Sequence, residues 1–130
     1  MQRTFAVILA ALLGPAAAAA GCPRPSQAIA RPAMLGPFPT PRGYAYTGAK
    51  KVKGVVVVSG WSSGKLDALR LLWFNTVAGA GRWHAVDRGV HDGVDVIAFK
   101  GFSPDRTAGS VTIVPICATR ATVTIRVRFG

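Results

Sequence analysis

A chain of 130 residues has room for one domain and excludes a two-domain architecture. Lysine and arginine total 16 against 5 aspartates and no glutamate, a formal net charge of +11. That balance favours anionic partners such as acidic glycans, lipopolysaccharide, anionic headgroups or nucleic acid, and carries no information about fold.

The opening MQRTFAVILAALLGPAAAAAGC has a basic start at Arg3, an apolar run from Phe5 to Leu13 and a small-residue tract before Cys22. This is the three-part layout of a secretory signal peptide over residues 1–21. The apolar run is well short of the roughly 20 residues needed to span a bilayer, so no transmembrane span is expected. Ala18-Ala19-Ala20 offers a cleavage site before Gly21, and Arg3 leaves with the signal, so 15 cations and 5 aspartates leave +10. AAGC also resembles the lipobox of bacterial lipoproteins, which would place a lipid anchor on Cys22, although Ala19 stands where leucine is usual. The alternative is a disulfide between Cys22 and Cys117, as expected for two cysteines in an oxidising compartment. The two readings exclude each other. The location expected is periplasmic, anchored to the outer envelope, or extracellular.

Residues 22–43 hold six of the nine prolines and lack hydrophobic periodicity, the composition of an extended, semi-rigid arm. Residues 44–130 then form the domain, expected to be an all-β, small antiparallel β-sandwich of about 85 residues. VKGVVVVS (52–59), DVIAFKG (95–101) and GSVTIVPI (109–116) are β-branched runs. ATVTIRVRF (121–129) alternates Val123, Ile125, Val127 and Phe129 with Thr122, Thr124, Arg126 and Arg128, the period of a half-buried strand. Pro115 should mark an edge or a bulge. KLDALRLLWFNTV (65–77) reads as a further strand, because Leu71, Leu72 and Phe74 crowd the sides that an amphipathic helix keeps polar. Trp73 is expected in the core.

GWSSG (60–64) fits the serine-hydrolase elbow pattern with Ser62 as nucleophile, and SGWSSGK looks like a phosphate loop. Neither pattern is completed. Only His84 and His91 follow Ser62, with too little chain to hold a triad apart, and three residues rather than four separate Gly60 from Gly64. The expectation is therefore a glycine-serine loop between strands, in a protein that is not an enzyme.

Two constellations remain. His84, Asp87, His91, Asp92 and Asp95 gather suitable ligands for a divalent metal within 12 positions, although their spacing matches no known metal motif and Asp92-Gly93 also reads as a tight turn. No other cofactor is indicated. The second is a set of basic residues with an aromatic: Trp61, Lys50, Lys51, Lys53 and Lys65, joined by the polar strand face of Arg126 and Arg128. The function these point to is an exported, non-catalytic β-domain of the cell envelope binding an anionic polymer. The alternatives are a fibre-forming, self-assembling subunit whose arm adds a strand to its neighbour, and a metal-dependent enzyme using residues 84–95.

Overall fold

The computed structural model describes residues 22–23, 26–91, 94–102 and 106–129, the side chain of His91 excepted. The signal segment 1–21 lies outside the described residues. Among the described residues a short 3-10 turn (Ala33–Leu35) is followed in chain order by six strands and one α-helix: β1 (Ala45–Val52), β2 (Val55–Ser63), α1 (Leu66–Gly79), β3 (Trp83–His91), β4 (Val94–Gly101), β5 (Ala108–Cys117) and β6 (Arg120–Arg128). They form one antiparallel sheet in the order β1-β2-β6-β5-β4-β3. The chain makes the hairpin β1–β2, passes through the helix, and returns as a four-strand meander whose last strand docks on β2. The mainly antiparallel β architecture expected from the sequence is present.

Alternation builds the core. On β6, Ala121, Val123, Ile125 and Val127 point inward, and on β2 so do Val56, Val58, Gly60 and Ser62. Ile97, Phe99, Val111 and Ile113 complete this apolar face. The valine run expected as one strand over 52–59 is divided by a turn. Lys53 and Gly54 take φ of 51° and 82°, the two left-handed positions of a type I′ hairpin. Pro115 falls as expected: β5 pairs with β4 only through Ile113, and its register against β6 shifts between Pro115 and Cys117.

The strand expected over 65–77 is instead the helix Leu66–Gly79. Leu69, Trp73 and Val77 recur every four residues and are fully buried, while Leu71 and Leu72 face solvent. Burying three such side chains contributes about 1.5–3 kcal/mol each, which outweighs the exposed leucines. Trp73 lies in the core as expected, edge-on to Tyr44 at 4.8 Å.

The helix packs against β3 and β5, and the proline-rich arm covers another part of the same sheet face. Leu35 and Phe38 are wholly buried, Phe38 meeting Trp83 edge-on at 5.1 Å. Arg31 latches the arm by donating to Thr40 Oγ1, Tyr46 Oη and the carbonyls of Gly36 and Phe38 over 2.8–3.1 Å. Ile29 bridges to Tyr46 on the outer edge of β1. Further back, Cys22 is disulfide-bonded to Cys117, with Cα atoms 5.6 Å apart. This pairing takes up the thiol that the lipid reading required.

Candidate functional site

Residues paired across a β-ladder point to the same side, so the register assigns each side chain to a face. One face carries the core. The other is covered neither by the helix nor by Leu35 and Phe38; it mixes valines such as Val57, Val96 and Val114 with hydroxyl and basic side chains.

Its axis is the outward side of β6: Arg120, Thr122, Thr124, Arg126 and Arg128, on a strand with β2 on one side and β5 on the other. Thr124 stands between Ser59 and Thr112, making a row of hydroxyls across three strands. Arg126 stands between Val57 and Ser110, and Lys50 extends that row on β1. Arg128 pairs with Ala108, which pairs with Lys100. From Arg120 to Arg128 the strand advances about 27 Å, at roughly 3.4 Å per residue. Asp87, on the far strand β3, is the only acid that the register places on this face among the described residues.

Trp61 lies at the Arg120 end. It belongs to β2, not to a glycine-serine loop, and it is half-buried because the Arg120 guanidinium sits 4.6 Å above its ring. Arg120 is held there by the Pro23 carbonyl at 3.2 Å, one residue from the disulfide. The ring face of Trp61, a candidate ligand-binding surface, is therefore occupied by a cation, and an incoming ligand meets Arg120 first. Both Trp61 Nε1 and Arg120 Nε lack an acceptor among the described residues.

The other predicted basic residues divide. Lys50, Arg126 and Arg128 share the open face. Lys51 pairs with Val56 and so turns toward the opposite side, at the end of β1. Lys53 occupies the hairpin turn, its carbonyl accepting from Arg128 Nη1 at 3.4 Å. Lys65 precedes the helix at the Arg120 end, next to Gly64, whose N–H donates to the Thr119 carbonyl. Arg120 and Lys100 were missed. Arg120 begins the strand just before the segment whose alternation is legible, and Lys100 looks like any charge ending a strand.

The residues expected to hold a metal are split by the sheet. His84 and Asp87 lie on the open face; His84 packs on Phe102 with ring centroids 4.9 Å apart, and Asp87 Oδ1 accepts the Arg88 backbone N–H. Asp95 points to the helix side, buried and ion-paired with Arg70. Asp92 and the His91 side chain lie outside the described residues. Among the described residues no three potential metal ligands converge.

Ser62 is a structural hydroxyl. A turn and a helix do follow its strand, but the serine is 4% exposed, points inward and accepts from Trp73 Nε1 at 3.3 Å. Both histidines lie on β3, four strand spacings from β2, or roughly 19 Å along the sheet. Lys65, the lysine of the supposed phosphate loop, stands in the extended residue before the helix.

Neither protein-family models, curated proteins nor solved structures match this chain.

Proposed function

We propose that this protein is an exported, non-catalytic β-domain that binds an extended anionic polymer, an acidic glycan in the first place, along the open face of its sheet. The observation that carries the reading is the outward side of β6, where Arg120, Arg126 and Arg128 bracket Thr122 and Thr124, with Lys50 and Lys100 to either side. Guanidinium groups suit carboxylates and sulfates in bidentate fashion, and hydroxyls between them suit sugar hydroxyls. A face presenting charges and hydroxyls over about 27 Å fits a polymer that is held at several points. The disulfide supports an oxidising compartment, in agreement with the leader-like N-terminus.

The arm is bound to its own domain by the disulfide, the Arg31 latch and two buried side chains, so nothing favours its donation to a neighbouring copy.

Calorimetric titration with polygalacturonate, with a neutral glucan and with single-stranded DNA tests the proposal. Binding to the polyuronate, none to the glucan, and a severe loss in an Arg126→Ser/Arg128→Ser variant are expected. Equal affinity for the glucan overturns it, and preference for the DNA reassigns the face to nucleic acid.

A further inference from the structure

Toward the helix, on the opposite side of the sheet from the basic face, lies an open groove of about 310 Å³ between α1 and the strands β3 and β4, lined by Arg70, Arg88, Gly89, Val90 and Asp95. Its volume is at the lower end of small-molecule sites, which run from roughly 300 to 1,000 Å³. Asp95 is 1% exposed and stands where its strand otherwise buries Ile97 and Phe99. An ionised carboxylate at such a position is costly unless it is paired. Arg70 Nε donates to its Oδ2, and that bond, with the attraction of the carboxylate, raises the arginine above its ordinary value. Asp95 Oδ1 has no hydrogen-bond partner among the described residues. A carboxylate offers about four acceptor sites, so pairing with Arg70 leaves it under-used. Arg88 stacks 4.8 Å over the Phe74 ring, an orientation that leaves its N–H edges free, and it has no ion pair among the described residues. A purely structural ion pair needs neither a leftover buried acceptor nor a second guanidinium beside it.

We propose that this groove binds a small hydroxy-carboxylate, with its carboxylate on Arg88 and its hydroxyl donated to Asp95 Oδ1. Arg70 Nη1 also lies 3.5 Å from the exposed carboxylate of Asp67, so Arg88 is the guanidinium without an acid partner among the described residues, and a monoanion supplies one. Such a ligand is either a free α-hydroxy acid or a uronate sugar, and the two are told apart by titration. The site is independent of the open face, so either reading survives failure of the other.

The test follows the backbone amides of Arg70, Arg88, Gly89 and Val90 by NMR while lactate, propionate, glucuronate and glucose are added to the intact protein. Lactate differs from propionate by its hydroxyl, and glucuronate from glucose by its carboxylate. Saturable shifts with lactate or glucuronate, at least about tenfold weaker with the matching control, are expected, since each lost charge-assisted bond is worth about that factor. Stronger lactate binding identifies a free acid, and stronger glucuronate binding a sugar. Arg88→Gln should weaken either by about tenfold. Asp95→Asn, which puts a donor at the free oxygen, should bring lactate down to propionate. The lactate–propionate comparison on the unaltered protein asks the same question should that variant fail to fold. No saturable shift, equal binding of the controls, or an unaffected Arg88→Gln variant overturns the assignment.

Discussion

Cutting the Cys22–Cys117 disulfide perturbs the fold in a way whose size follows from the chain. The bridge joins positions 95 apart. In the chain-entropy treatment, a closed loop of that length restricts the unfolded ensemble by about 4.7 kcal/mol at 25 °C. Part of this returns when the bond is lost, because residues 22–28 gain freedom in the folded state up to the next anchors, the Ile29–Tyr46 bridge and the Arg31 latch. Leu35 and Phe38 stay buried regardless, so the core is retained. A net loss of about 3–4 kcal/mol is therefore expected for Cys22→Ser/Cys117→Ser, or for reduction of the native bond. At about 4–8 °C per kcal/mol in a domain of this size, the midpoint should fall by roughly 12–30 °C. Thermal unfolding by circular dichroism, with a free-thiol titration of the oxidised protein, measures it. A double-serine variant melting within a few degrees of the parent refutes the entropic reasoning. A lipid-sized mass on Cys22 refutes the pairing itself.

Three further outcomes follow from the core. Ser62→Ala leaves the Trp73 indole N–H without its acceptor and should cost about 1–2 kcal/mol in denaturant unfolding while leaving ligand binding intact; loss of function in a folded variant would restore Ser62 as a functional residue. Gly60→Ala places a methyl 2.3 Å from the Ala45 carbonyl and 2.6 Å from the Tyr44 ring, contacts no side chain tolerates, so a loss of at least about 3 kcal/mol is expected, and a near-neutral result would show the β1–β2 packing to be wrong. Tyr44, buried and donating to the Val123 carbonyl at 2.7 Å, is pushed well above its ordinary value of 10.0, first by burial and then by Tyr46. The unfolded phenol releases its proton near pH 10 while the folded one keeps it, so the stability from Tyr44 is complete below pH 10 and falls as pH rises above it. Tyr44→Phe should flatten that alkaline decline, and an unchanged pH profile would contradict the assignment.

A strand was most legible where one face is buried and the other wet. On β6, Val123, Ile125 and Val127 alternate with threonine and arginine, and the register places both sets as that alternation implies. The helix was not legible, because Leu71, Leu72 and Phe74 mask the stripe of Leu69, Trp73 and Val77, and local pattern does not show which apolar residues tertiary packing will bury. Nor did composition reveal that a proline-rich segment supplies Leu35 and Phe38 to the core, since isolated apolar residues in irregular backbone have no period. For the site, Arg126 and Arg128 were visible as a strand's polar face. Their grouping with Lys50 and Lys100 depends on strand order, which joins residues from both halves of the chain. Asp95 was read as a candidate metal ligand beside Asp92, and only the register moves it to the buried side to meet Arg70.

The central claim is that the outward side of β6 is an electrostatic track for a polyanion. Affinity for polygalacturonate measured over a series of salt concentrations tests it most directly. A linear fall of log affinity with log salt is expected, with a slope smaller by about two in Arg126→Ser/Arg128→Ser, about one for each lost contact. An unchanged slope and affinity in that variant, with its melting temperature intact, would contradict the claim.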